Sequence, residues 1–270
     1  MNPGANARQR PLLSSVEELN AQREWFADSG RPPSDNEPPY VIVVDHFYDD
    51  PGFIRELALR QSYYQYSPPL AESVGEQRAR EWHKENPLRK GTWSASALLT
   101  YLGKPVNKPH FGFRYDAEWL LVKLEGIVNQ QIDRETWHEL GDWWNGAFSL
   151  IDRGWTSDDG SIHHHYKELD VYPQGWSGVV YLSPNPDQSA GTSIWRHKKT
   201  GKCIAAYGPT FSANRDDYQL AFLAENRWNR LVLFRENVLH SAEHGFGEGR
   251  DARLTQTWFF RTLKPGGVGE

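Results

Sequence analysis

Short apolar runs separated by turn-forming residues dominate the chain and predict a β-rich fold. The runs YVIVVD at 40–45, VVYL within 176–183 and NRLVLF at 229–234 are rich in β-branched residues and suit buried strands. Further strands are predicted at 147–151, at 191–195 and in the run RLTQTWFF, which begins at Arg253. The order of these runs predicts a mainly β fold.

Two segments carry apolar residues at the helical period and predict helices beside the strands. The first runs from about 51 to 61 and has Pro51 in its first turn, where a missing N–H costs nothing. The second covers 117–131, and its apolar positions form one face. Residues 207–226 separate two predicted strands; we expect a helix at 216–224 within them, acting either as a lid or as a buttress of the sheet.

Length and composition favour one folded domain. The chain has 270 residues, 38% of them hydrophobic and 13% aromatic, which is enough for one sizeable core. Residues 1–38 are polar and lack an apolar stripe, so we predict a flexible N-terminal arm followed by a single domain at 39–265. The tryptophans can line a pocket or fill the core, and composition does not choose between the two.

Charge and cysteine content narrow the partners and the compartment. A net charge of −5 gives no broad basic field for nucleic acid or for an anionic membrane, so neither is expected as a partner. Cys203 is alone, and neither a signal-peptide core nor a membrane-length apolar run occurs. We therefore expect a cytoplasmic protein. The basic run 196–199 is interpreted as a solvated face, with recognition of a substrate carboxylate as the alternative.

Three consecutive histidines form the strongest candidate for a metal site. In a strand, His163 and His165 project to one face and His164 to the other. Imidazole nitrogens suit Fe, Zn, Cu and Ni, and three protein ligands on one side of the ion are typical of non-haem Fe(II) oxygenases. The third ligand must come from elsewhere in the chain. His240 follows the NRLVLF strand, and Arg253 comes thirteen residues after it.

In order and in content, these segments resemble the Fe(II)/2-oxoglutarate-dependent oxygenases, a family built on a double-stranded β-helix, or jelly roll. The resemblance covers roughly residues 39–263. It is close to a bacterial branch with the pattern VVYLxP, GTSxWRHKxTG and LTQxWFF, which reads here VVYLSP, GTSIWRHKKTG and LTQTWFF. It implies a jelly-roll core and a hydroxylase that uses Fe(II), 2-oxoglutarate and O2 on a small-molecule or amino-acid-derived substrate.

The resemblance also implies roles for individual residues. His163 matches the family's first metal ligand and His240 its distal ligand. Arg253 matches the residue that binds the far carboxylate of 2-oxoglutarate, with Thr255 beside it. An arginine suits that role because its planar fork pairs with a carboxylate and keeps its charge. Tyr181 is a candidate for a hydroxyl directed at the co-substrate, and a core tyrosine is the equal alternative.

One position departs from the family pattern, because His165 stands where the family has Asp or Glu. Three explanations remain open: a three-histidine site, a shifted register in which Glu168 or Asp170 supplies the carboxylate, or a site without iron chemistry. If His240 is not the distal ligand, His244 is the next candidate. Since His165 is not small, we do not expect the halogenase variant, in which chloride takes this ligand position.

The alternatives to a 2-oxoglutarate hydroxylase come from different functional classes. A three-His dioxygenase that does not use 2-oxoglutarate would leave Arg253 without its implied role. A non-catalytic jelly-roll binding protein is the third hypothesis. The sequence leaves a homodimer open.

Overall fold

The computed structural model describes residues 40–61, 63–65, 93–95, 118–135, 137, 146–156, 162–165, 175–205 and 215–263. The predicted arm at 1–38 and the alternative ligands Glu168 and Asp170 lie outside these ranges. Among the described helices, none is both long and apolar enough to cross a bilayer. The strands and helices are β1 (Val41–Val44), α1 (Pro51–Leu59), β2 (Tyr64–Gln65), β3 (Trp93–Ala95), α2 (Glu118–Val128), β4 (Phe148–Ile151), β5 (Gly175–Tyr181), β6 (Thr192–His197), β7 (Tyr218–Ala224), β8 (Leu231–Arg235), β9 (His240–Ala242) and β10 (Arg253–Arg261).

The strands form two antiparallel sheets. The large sheet has the order β1-β8-β5-β10-β4-β3-β2, and the small sheet has the order β7-β6-β9. A bridge between His163 and His240 adds the segment 162–163 to the small sheet, beside β9. The eight core strands are, in chain order, β4, the segment 162–163, β5, β6, β7, β8, β9 and β10. Numbered 1 to 8 in that order, they pair as 1-8-3-6 in the large sheet and as 2-7-4-5 in the small sheet. This pairing is that of a double-stranded β-helix, which confirms the predicted fold class.

The large sheet packs on both of its faces. Its outer face buries residues such as Val180, Leu233 and Trp258 against α1 and α2. The helix faces explain this arrangement, because Leu120, Leu121, Leu124 and Val128 of α2 are buried while Trp119 and Val122 are exposed. The inner face packs Tyr181, Val232 and Phe234 against Ile194 and Ala224 of the small sheet. The space between the sheets is the barrel interior.

The helix predicted at 216–224 is wrong, because these residues form strand β7 after a short 3-10 turn at Arg215–Asp217. Leucine, alanine and glutamine favour a helix in isolation. In the fold, β7 pairs with β6 along its whole length, with a bulge between Ile194 and Trp195. Pairing with a distant strand overrides the local preference, so part of the supposed insertion is a barrel strand.

Candidate metal centre

Backbone pairing holds the histidine run beside β9 and the end of β8. The backbone N–H groups of His163 and His240 each donate to the other residue's carbonyl at 2.9 Å, and the His165 N–H donates to the Glu236 carbonyl at 2.7 Å. The segment is therefore extended and its side chains alternate. Ile162 packs in a separate cluster with Tyr218 and Leu239, whereas the rings of His163 and His165 turn towards His240.

The three imidazoles converge. The ligand nitrogens of His163, His165 and His240 all lie within 4.8 Å of one another, and the Nε2 atoms of His165 and His240 are 3.1 Å apart. Two nitrogens bound at about 2.1 Å to one ion, at a right angle, lie about 3 Å apart. The observed nitrogen separation therefore fits a shared metal ion.

Hydrogen bonding and burial prepare His240 for this role. Its Nδ1 lies 2.8 Å from the Val238 carbonyl oxygen, which requires a proton on Nδ1 and leaves the lone pair on Nε2. Burial, and then the neighbouring rings of His163 and His165, hold the pKa of His240 well below its usual value. His240 therefore stays neutral, which is the state that binds a metal.

The described part of the cluster contains no carboxylate. His165 occupies the place where the resemblance expects Asp or Glu, and its imidazole points into the cluster as strand alternation predicts. Because Glu168 and Asp170 lie outside the described residues, the role of His165 as a ligand stays a prediction. His244 lies away from the cluster, with its Nε2 3.1 Å from the Asp187 carboxylate.

Aromatic side chains of the large sheet surround the imidazoles. The Phe234 ring lies 4.2 Å from that of His240, and the Phe259 ring lies 5.2 Å from that of His165. On β10, the partly exposed residues are Thr257, Phe259 and Arg261, which all share the inner face. Val179 is the partly exposed residue of β5 and pairs with Thr257. The partly exposed residues of the inner face therefore extend from the histidine end of the barrel to the level of this pair.

Deeper on the same inner face of β10, Arg253 is almost completely buried, with an exposed fraction of 2%. Its Nε donates to the Ala190 carbonyl at 2.7 Å and its Nη2 to the Gly191 carbonyl at 3.1 Å. No carboxylate within ion-pair distance of this guanidinium is found in the described part of the chain. Burial lowers the pKa of Arg253, and the charge of the nearby Glu243 carboxylate opposes that shift. With no described carboxylate in direct contact, the buried guanidinium favours an anionic ligand.

Two residues with hydroxyl groups, Tyr181 and Thr255, lie near Arg253, and the Tyr181 hydroxyl is already hydrogen-bonded to other residues. The Tyr181 ring lies 5.9 Å below the guanidinium, and its hydroxyl is 2.8 Å from Thr192 Oγ1 and 3.2 Å from the Ala224 carbonyl oxygen. These contacts join the two sheets, which is a structural role for Tyr181. Thr255 is buried one step along the inner face from Arg253 and pairs with Tyr181. Ligand roles for Tyr181 and Thr255 stay predictions.

The basic run 196–199 belongs to the β6 hairpin and not to the cluster. Lys198 and Lys199 are exposed, and the Lys198 ammonium donates to the Asp216 carbonyl at 2.6 Å. Sequence reasoning missed Phe234, Phe259 and Arg261 as residues of the barrel interior. Alternation from Arg253 along RLTQTWFFR would have placed the last two on the same face.

No protein-family model matches the sequence, and no curated protein matches it significantly. Several solved structures are similar in fold. The epimerase SnoN in complex with Fe3+, alpha ketoglutarate and nogalamycin RO is 11% identical with a TM-score of 0.45, over 95% of this chain and 92% of SnoN. HygX from Streptomyces hygroscopicus is 13% identical with a TM-score of 0.45, over 83% and 84% of the two chains. A Pseudomonas putida prolyl-4-hydroxylase is 16% identical with a TM-score of 0.40, over 83% and 93%.

Proposed function

We propose that this chain is a non-haem Fe(II)/2-oxoglutarate-dependent oxygenase that hydroxylates a small-molecule or amino-acid-derived substrate. One observation carries the proposal: three imidazoles converge at the partly exposed end of a barrel whose deep end holds a buried arginine, and no described carboxylate lies within ion-pair distance of that arginine. A metal site at one end of the barrel and an arginine at the other suit a co-substrate that chelates a metal at one end and carries a carboxylate at the other.

His163, His165 and His240 would hold the metal through their ring nitrogens. Three protein ligands on one side of an ion leave its remaining positions for co-substrate and O2. When bound, Fe(II) with 2-oxoglutarate and O2 supplies the oxidising chemistry, releasing succinate and CO2. Phe234 and Phe259 border the imidazoles and limit the water that reaches them.

Arg253 would bind the far carboxylate of 2-oxoglutarate. The carbonyls of Ala190 and Gly191 hold the Nε and Nη2 edge of its guanidinium, which fixes the direction of the side chain before any ligand arrives. A fixed donor loses less freedom on binding than a mobile one. Burial strengthens the attraction between this cation and a carboxylate.

The test measures two quantities: the release of succinate from 2-oxoglutarate and the affinity of the protein for 2-oxoglutarate. With Fe(II) and O2, the wild-type chain is expected to release succinate from 2-oxoglutarate. Arg253→Gln should weaken 2-oxoglutarate binding by about 100-fold, because losing one member of a buried charge pair costs about 2–5 kcal/mol. Metal content, measured by elemental analysis, should not change. Arg227→Gln is the matched control, since Arg227 is a half-exposed arginine paired with Glu225.

A second candidate, a three-His dioxygenase that works without 2-oxoglutarate, is favoured by the all-histidine cluster. It predicts oxygen consumption with no succinate and no effect of Arg253→Gln on co-substrate dependence. A chain that neither binds metal nor releases succinate would instead be a binding protein. Each result excludes the other two hypotheses.

A further inference from the structure

The inner face of the large sheet carries ordered rows of residues near the opening of the barrel. In one row, Phe234, Ser177 and Phe259 face one another across β8, β5 and β10. The two phenylalanines of this row contact His240 and His165. The row is therefore level with the imidazoles.

The next row towards the solvent is charged. It consists of Glu236, Gly175 and Arg261: Arg261 pairs with Gly175, and the Glu236 N–H donates to the Gly175 carbonyl at 3.0 Å. Strand alternation directs Arg261 to the same face as Phe259, about 7 Å further out for two residues of strand. This row lies where β5 begins and β10 ends, one row beyond the level of the imidazoles.

Arg261 is partly exposed at the end of β10. Its carbonyl accepts a hydrogen bond from the Asp133 N–H at 2.9 Å, which anchors the backbone. Within the described ranges, its side chain makes neither an ion pair nor a hydrogen bond. A guanidinium presents five donors in a planar fork that matches a carboxylate.

The other two members of the row define the space beside Arg261. Gly175 has no side chain, and a Cβ added there would lie 1.9 Å from Glu236 Oε2, so the Glu236 carboxylate lies over this glycine. Two interstrand steps separate Glu236 from Arg261, or about 10 Å between backbones. The negative charge of Glu236 penalises a dianion at Arg261 more than a monoanion.

We propose that Arg261 binds a carboxylate of the substrate at the opening of the barrel and positions the rest of the molecule over the imidazole cluster. This inference deepens the proposed function and rests on it, since the substrate acquires its role only if the cluster is catalytic. The substrate class is a monocarboxylate with an apolar portion, which lies against the partly exposed Phe259.

The test measures binding of three probes that share a phenyl group: phenylacetate, its neutral analogue phenylacetamide and the dianion phenyl phosphate. The full chain is saturated with Ni(II) and 2-oxoglutarate, and affinity is read by saturation-transfer NMR. Wild-type protein should bind phenylacetate at least about tenfold more tightly than phenylacetamide, because only the carboxylate pairs with the guanidinium fork. It should also bind phenylacetate more tightly than phenyl phosphate.

Two variants and a control test the residue. Arg261→Gln should reduce phenylacetate affinity to that of phenylacetamide, and Arg261→Lys should retain an intermediate affinity because it keeps the charge without the fork. Arg227→Gln, which also removes a surface arginine, should behave as wild type. Unchanged phenylacetate binding in Arg261→Gln, tighter binding of phenyl phosphate, or dependence on Arg253 alone would each overturn the inference.

Titration of the same samples with 2-oxoglutarate keeps the two proposals apart. If wild-type protein does not bind 2-oxoglutarate, the proposed function is contradicted, whatever affinities are measured for the three phenyl probes. Normal 2-oxoglutarate binding with no effect of Arg261→Gln contradicts only the carboxylate assignment.

Discussion

At the scale of single residues, His165 decides the charge of the metal centre. A carboxylate in its place would neutralise part of the ion's charge, whereas three imidazoles leave the whole charge on the complex. The centroid of the His165 ring lies 5.0 Å from the ring centroid of His163, 4.9 Å from that of His240 and 5.2 Å from that of Phe259. Three rings therefore hold His165 in the cluster.

His165→Ala should weaken metal binding by about 100-fold or more, since loss of even an outer partner of a ligand costs 10–100-fold. Isothermal titration with Co(II) measures this. His244→Ala is the control, because His244 lies on the surface against Asp187. If His165→Ala binds normally and Glu168→Gln or Asp170→Asn does not, the register is shifted and a carboxylate is the third ligand.

At the scale of elements, replacing glycine by alanine should change the stability of the protein in opposite directions at Gly191 and at Gly126. Gly191 lies between the sheets, and a Cβ there would lie 2.0 Å from the Ala224 carbonyl oxygen. Gly126 lies in α2, and nothing lies within 4 Å of its added Cβ. Gly191→Ala must move the backbone of β7 or of the segment that holds Arg253, whereas Gly126→Ala only removes chain entropy.

Chemical denaturation should therefore show that Gly126→Ala stabilises the protein by about 0.5–1 kcal/mol. Gly191→Ala should destabilise it by about 2 kcal/mol or more, in the range of overpacking in a core. It should also weaken 2-oxoglutarate binding, because the Gly191 carbonyl accepts from Arg253. Equal stabilities of the two variants would show that the sheets have room at Gly191.

An ion pair joins the end of β1 to the loop before β8. Arg230 donates to both oxygens of Asp45, at 2.6 and 3.0 Å, and this bonding lowers the pKa of Asp45 below its usual 3.8. A carboxyl group with a lowered pKa in the folded state stabilises the fold above its unfolded pKa. That contribution is lost as the pH falls through the folded pKa.

Asp45→Asn should therefore be less stable than wild type near neutral pH, by less than about 1 kcal/mol because the carboxylate is 42% exposed. Well below pH 3.8 the two proteins should become equal. Urea denaturation across this range measures the difference. Asp49→Asn, at a 99% exposed carboxylate, is the control and should unfold at nearly the same urea concentration as wild type at neutral pH. A stability gap that persists in acid would contradict a role for the Asp45 charge.

At the scale of the whole molecule, a metal would join segments that are distant in sequence. His163 and His165 lie on one edge segment and His240 begins β9, so an ion binding all three holds the folded chain together. At a metal concentration 100 times the dissociation constant, linkage adds about 2.7 kcal/mol to the free energy of unfolding. For a chain of this size the melting temperature should rise by about 5–10 °C.

Thermal melting with and without Co(II) or Fe(II) measures this stabilisation. His240→Ala should remove most of the shift, whereas His244→Ala should keep it. An equal shift in His240→Ala would place the metal outside the three-His cluster.

Much of the fold follows from local pattern. The strands β5, β8 and β10 are long apolar runs that only a buried sheet accommodates, and the helices α1 and α2 carry an apolar face at the helical period. Strand alternation also places His163 and His165 on one face without knowledge of their neighbours. These properties depend on neighbouring residues, so the sequence by itself determined them.

Tertiary structure decided what depends on the pairing of distant strands. β7 is a strand because β6 lies beside it, although its residues favour a helix. The three imidazoles meet because residues 162–163 pair with β9, and Arg261 stands opposite Gly175 because of the register between β10 and β5. Register is set by the packing of two sheets and not by any local segment, so no reading of one segment could have found these neighbours.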